Sequence, residues 1–140
     1  MPDTEPQPVL DASALLAYLG DEDGVDVVAD AIAGGASIST INLAEVLSTL
    51  TARGANPGEV SVDLADRGLL DGAIAVEPFT IADVVETARL RPLTRKAGLA
   101  LGDRGCLALA SRLSAPVLTA DQAWVGLKLD VEVRSIRGSR

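Results

Sequence analysis

Histidine is missing from this 140-residue chain, and cysteine occurs once, at Cys106. Without an imidazole the chain cannot activate a serine or cysteine through histidine, relay protons by it near neutrality, or ligate a metal with it. One cysteine forms no internal disulfide and no thiolate zinc cluster. Aromatics are nearly absent too: Tyr18, Phe79 and Trp124 are the whole set. That excludes an extended stacking platform for single-stranded nucleic acid. Positive charge is also scarce, with 12 Lys and Arg against 20 Asp and Glu and a net charge of −8. Broad, non-specific attraction to a polyanion is disfavoured, although cations gathered at one cleft can still receive one. No apolar run is long enough to span a bilayer, and the acidic start MPDTEPQ has no basic segment followed by an apolar one. A cytoplasmic protein with no membrane contact is expected.

What the chain does have is small aliphatic bulk: 48% of its residues are apolar, most of them Ala, Val and Leu. That suits helices packed closely on a sheet, and the length suits one domain with a substantial core. The expected organisation is a domain over residues 1–136 followed by a short basic tail, 137–140. Strand and helix signals alternate. Strands are expected at about residues 8–11, 37–39, 74–76, 116–119 and 131–136. Helices are expected at about 13–19, 25–33, 42–53 (capped by Asn42), 59–70, 80–90 and 103–113, with a short one after Asp121. Thr80 and Asp83 stand at the spacing of a capping box, and Pro92 ends the helix before it. The strands at 8–11 and 116–119 are apolar throughout, as in a parallel sheet covered on both faces. Such folds keep their sites beyond the carboxyl ends of the strands, near the point where strand order reverses.

Two expected strands run into carboxylates at that end. "VLDAS" delivers Asp11, with Ser13 two positions on, and "VLTAD" delivers Thr119 and Asp121. Glu45 lies in "STINLAEVLS", and Asp103 opens a helix in "LGDRGCLALA". Each has an ordinary use when taken singly. Asp11 and Asp121 can cap the helices that follow them. Glu45 lies opposite the apolar face of Leu43, Val46, Leu47 and Leu50, where a helical wheel puts a solvated residue. Asp103 is an acid at a helix N-terminus, which the macrodipole favours. Cys106 and Trp124 read as packing.

Taken together, in this order, the four acids resemble the PIN-domain ribonucleases, and most of all the VapC-type toxins of type II toxin–antitoxin modules. The likeness runs through "VLDASALLAYL", "STINLAEVLS", "LGDRGCLALA" and "VLTADQAW", and so covers nearly the whole chain. It implies an α/β/α sandwich with a mainly parallel sheet and a Mg²⁺- or Mn²⁺-dependent endoribonuclease. It also implies a homodimer and neutralisation by a cognate antitoxin. By position, Asp11, Glu45, Asp103 and Asp121 match the catalytic metal-site acids, and Ser13 and Thr119 match the hydroxyls that orient them.

The chemistry is coherent with that likeness. Converging carboxylates repel one another and need a cation or a proton. An oxygen-only donor set suits a hard ion such as Mg²⁺ or Mn²⁺ and fits zinc poorly. RNA must then be drawn in by surrounding cations, for which Arg89, Arg91, Arg95, Lys96 and Arg104 are candidates; Arg137 and Arg140 are weaker ones. The bland alternative for the "RLRPLTRK" cluster is a solvated helix end. Two other enzymes also place an aspartate after a first parallel strand. An aspartate-nucleophile phosphatase needs a second Asp where Ser13 stands, and a phosphoacceptor receiver needs a lysine after a late strand. Neither is met. A non-catalytic protein of the same fold, binding a metal or a partner, is the remaining alternative.

Overall fold

The computed structural model describes residues 6–137. Five strands form one sheet: β1 (Val9–Leu10), β2 (Ala36–Ser39), β3 (Ile74–Glu77), β4 (Val117–Thr119) and β5 (Val133–Ser135). Every pairing is parallel and the order is β3-β2-β1-β4-β5. The helices are α1 (Ala12–Leu19), α2 (Val25–Gly34), α3 (Thr40–Ala52), α4 (Pro57–Asp66), α5 (Ile81–Arg89), α6 (Arg91–Thr94) and α7 (Leu101–Leu113). A single 3₁₀ turn, Gln122–Trp124, follows β4. Among the described residues no helix is long and apolar enough to cross a membrane.

Alternation along the central strands divides the interior. Leu10 and Leu118 join a cluster with Ala14, Leu15, Val28, Ile38 and Val46, which come from α1, α2, β2 and α3. Their neighbours Val9 and Val117 point the other way, into Cys106, Leu107, Leu109, Ala110 and Trp124. Side chains at successive strand positions face opposite sides, so the sheet carries helices on both faces, as expected of the sandwich. From β1 the chain moves outward one way through β2 and β3, then returns beside β1 as β4. The reversal therefore falls between β1 and β4, the crevice where open parallel sheets bind ligands.

Several boundaries differ from the sequence expectation, each for a local reason. The helix expected to begin at Asn42 starts at Thr40, because the Ser39 hydroxyl accepts from the Ile41 N–H (3.3 Å) and caps it. Asn42 is thereby moved inside the helix and is fully buried. The helix expected over 59–70 runs from Pro57 to Asp66: Asn56 caps it through the Glu59 N–H (3.0 Å), and proline suits the first turn. It stops ahead of Gly68, whose φ of +79° breaks a right-handed helix. Pro92 ends α5 as expected but also opens the one-turn α6. Helix α7 starts at Leu101, two residues early. Strand β1 is short because Asp11 leaves the strand to cap α1. The basic tail falls mostly at 138–140, Arg140 included, and the start of MPDTEPQ at 1–5; both lie outside the described residues.

One ion pair fixes α5 against α7. Thr80 and Asp83 form the reciprocal capping box, and Arg112 of α7 donates to both Asp83 oxygens at 2.9 and 3.0 Å. Burial pushes the Asp83 carboxyl up, but the hydrogen bonds and charge of Arg112, with the Thr80 N–H and hydroxyl, more than offset it and hold the group below its ordinary range.

Candidate active site

At the carboxyl end of β1, Asp11 is buried at 3% exposure and ringed by donors. Its Oδ1 accepts from the Ala14 N–H (2.8 Å) and the Ser13 hydroxyl (2.7 Å), and its Oδ2 accepts from the Thr119 hydroxyl (2.5 Å). Ser13 Oγ in turn accepts from the Ala120 N–H (2.9 Å), and Thr119 Oγ1 from the Asp121 N–H (3.0 Å). Both hydroxyl protons are spent on Asp11. The 3.4 Å approach of Ser13 to Thr119 is therefore a contact between two acceptors already committed elsewhere. This clasp joins β1 to β4 across the crevice. Even so, desolvation dominates: burial outweighs the bonds from Thr119, Ala14 and Ser13, the Asp103 charge adds to it, and Asp11 rises to about 6.

The capping use and the site position of Asp11 are both realised. The same holds for Asp121, whose Oδ1 accepts from the Ala123 N–H (2.9 Å) and caps the 3₁₀ turn while the residue stays exposed. Asp103, in the first turn of α7, takes the Ala100 N–H on Oδ2 (2.9 Å). Ala100 has no side chain with which to reciprocate, so only half of a capping box exists there.

Glu45 is not solvated as its helical wheel predicts. It is half-buried, because α7 lies against that side of α3. Asn42, three residues before it, donates one amide hydrogen to Glu45 Oε1 (2.8 Å) and the other to the Gly102 carbonyl (2.9 Å). One side chain thus aims the glutamate and ties α3 to the start of α7. Gly102 is required by this approach, since a Cβ there would strike the Glu45 carboxylate. Burial raises Glu45, against the Asn42 bond, and the Asp103 charge adds to it. Asp103 is raised in turn, by burial first and then by Asp121, against the Ala100 N–H and Arg104. Cys106 beneath them is raised well above the ordinary thiol value, by complete burial and by the charges of Asp11, Asp103 and Glu45. It remains a protonated packing group.

The fold thus brings Asp11, Glu45 and Asp121 each within electrostatic reach of Asp103. Among the described residues, no three carboxylate or thiol groups are grouped tightly enough to hold an ion by themselves. Each acid already has an oxygen turned to its own backbone or an adjacent side chain. The donor set nonetheless fits a hard divalent ion. It is all oxygen, it is short of positive charge, Gly102 leaves room beside Glu45, and Mg²⁺ keeps waters that bridge carboxylates too far apart for direct contact.

The expected cations are placed unevenly. Arg91, Arg95 and Lys96 are exposed and make no ion pair among the described residues. Arg89 is held by Glu86 through two bonds of 2.7 Å. Arg104 is nine-tenths buried, with Nη1 donating to the Thr87 carbonyl (2.8 Å), because one step along α7 turns it about 100° away from Asp103. Arg137 is exposed beyond β5. Asn42 and Gly102 belong to the candidate site; from the sequence alone Asn42 has only the role of a helix cap and Gly102 has none. The readable signs were an amide three positions before an acid on a helix and a glycine inside a helical first turn.

A family model for the PIN domain matches residues 9–127. No curated protein matches the chain significantly. Among solved structures, DNA-bound VapBC from Salmonella typhimurium aligns at a TM-score of 0.67 and 13% identity, covering 93% of this chain and 98% of that one. VapBC2 from Rickettsia felis, bound to a promoter DNA fragment, aligns at 0.64 and 15% identity over 91% and 96% of the two chains. Mycobacterium tuberculosis VapC20, a sarcin–ricin loop cleaving toxin, aligns at 0.63 and 14% identity over 89% and 98%. At these identities the structural likeness speaks for the fold.

Proposed function

The chain belongs to the PIN domain family, and from that premise we propose that it is a divalent-metal-dependent endoribonuclease acting as the toxin of a toxin–antitoxin pair. The observation that carries this reading is the oxygen-only cluster of raised carboxylates at the β1/β4 reversal, centred on Asp103. An arrangement that disfavours its own ionisation is one that a divalent cation stabilises. Asp11, Asp103 and Asp121 hold the ion, directly or through water, and Glu45 completes the set. When bound, Mg²⁺ or Mn²⁺ supplies charge neutralisation at the phosphate oxygens and acidifies a water.

The protein's own part is orientation. Ser13 and Thr119 fix the Asp11 carboxylate, and Asn42 fixes Glu45. Arg91, Arg95 and Lys96, exposed and unpaired, offer the phosphate backbone a cationic approach that the net charge of −8 otherwise denies it. The toxin assignment draws on the VapBC complexes among the structural neighbours. With it come a cognate antitoxin as partner, assembly as a homodimer, and action in the cytoplasm.

The test is incubation of the purified chain with RNA, with and without Mg²⁺ or Mn²⁺, beside Asp11→Ala and Asp103→Asn. Cleavage that requires the ion and disappears in both variants is expected. Cleavage that persists in both rejects the site. Growth arrest on expression, relieved by the same substitutions, separates a toxin from a housekeeping nuclease. Ion binding without cleavage of any RNA leaves a non-catalytic member of the family.

A further inference from the structure

On the α5 side of α7, a cavity of about 320 Å³ lies between Phe79, Val84, Thr87, Arg91, Leu101 and Arg104. In a chain of net charge −8, its lining holds two arginines and no carboxylate. Thr87 is 3% exposed, and among the described residues neither its hydroxyl nor the buried Nε of Arg104 has a hydrogen-bond partner. Buried polar atoms are nearly always paired, so two orphans on one cavity ask for an explanation. The rest of the lining is apolar and open: Leu101 is 58% exposed and Val84 44%. Phe79 reaches the cavity because α7 has a glycine where its ring packs; a Cβ on Gly105 would stand 3.3 Å from it and 2.9 Å from Ile41.

We propose that this cavity is a nucleotide subsite, taking the base and phosphate of one residue of the RNA strand next to the bond that is cut. The inference rests on the ribonuclease reading and deepens it. A ligand that suits an aromatic ring, an aliphatic wall, buried hydrogen-bonding groups and two guanidiniums is flat, partly apolar and anionic. A nucleotide has all three properties, and its base finds the ring of Phe79 with Leu101 beside it while its phosphate finds the exposed Arg91, with the buried charge of Arg104 behind it. Position agrees: Leu101 and Arg104 flank Gly102 and Asp103 within one turn of α7, so the cavity and the acids share a helix end. A second copy of the chain is a poorer occupant, because a twofold contact centred here sets the arginines against their own equivalents.

Steady-state cleavage of a single-stranded RNA oligonucleotide with Mg²⁺, by wild type, Phe79→Leu and Leu101→Ser, tests the proposal. KM is expected to rise about five- to tenfold in each variant, the effect of losing one stacking or apolar contact to the base, with kcat within about twofold. Cleavage-site preference on a randomised RNA is expected to broaden in Phe79→Leu. Leu101 is 58% exposed, so its variant keeps the test sound if Phe79→Leu loses fold by circular dichroism. Unchanged KM and unchanged preference, with wild type cleaving normally, overturn the subsite and leave the nuclease reading standing. A change in oligomeric state by light scattering, with KM unchanged, identifies a copy contact and overturns it as well. Absence of wild-type cleavage with either ion removes both readings together.

Discussion

Burial works against the charge of Asp11, and the sign of that effect sets a pH dependence. The folded-state pKa of Asp11, about 6, lies above the ordinary 3.8, so folding favours the protonated form. The contribution to stability is full below about pH 4 and is lost as pH rises through about 6. At pH 7 the loss is of order 3 kcal/mol. Asp11→Asn removes the charge and keeps the shape. In chelator, urea denaturation at stepped pH should show the variant gaining on wild type between pH 4 and 7 by an amount of that order. A gap that does not vary with pH contradicts the burial argument. A second residue-scale test is Gly102→Ala, whose new methyl group displaces the Glu45 carboxylate. A cost of about 1–3 kcal/mol in stability and a loss of cleavage far larger than that cost are expected, by melting and by RNA assay. Asp11, Asp103 and Asp121 were legible as site candidates because each sits at a boundary that sequence marks well: a strand end or a helix start. The environment of Glu45 was not, because its partners Asn42 and Gly102 act through contact with α7, and a helical wheel of α3 carries no information about a segment some sixty positions away.

Helices α5 and α7 are joined by the Arg112–Asp83 pair, in which Asp83 is 2% exposed and Arg112 32%. Removing the arginine leaves a buried carboxylate with only its capping-box bonds. Arg112→Ala is expected to cost roughly 2–4 kcal/mol at pH 7, somewhat less than a fully buried pair because the arginine is partly hydrated. Because Asp83 is held below its ordinary range, the pair stabilises above that range and the effect should shrink as pH falls through it. Urea titrations of both chains at pH 7 and pH 3 check this. The elements themselves were largely legible: apolar runs at 8–11 and 116–119 became the central strands, and alternation of strand with helix gave the parallel sheet. Ends were less so, because caps compete. Ser39 outbid Asn42 for the start of α3, and Pro57 with Asn56 started α4 earlier than a break at GANPG implied.

Across the whole molecule, an excess of eight negative charges makes the metal-free chain self-repelling. Monovalent salt should therefore raise its thermal midpoint at neutral pH, and a divalent ion should raise it further at far lower concentration, the second effect vanishing in Asp103→Asn. If RNA is the substrate, as proposed, the same charge imbalance limits its contact to a few cations. With three exposed, unpaired ones near α6, the plot of log affinity against log salt should be shallow, with a slope of roughly −2. A slope several times steeper means that a wider basic surface forms on assembly. The bond that closes the pocket, from Thr119 to Asp11, spans 108 positions of sequence. A growing chain still on the ribosome therefore carries Asp11 without its Thr119 partner until the fourth strand has emerged. On the proposed function, the site is completed late in translation, when nearly all of the chain has been made.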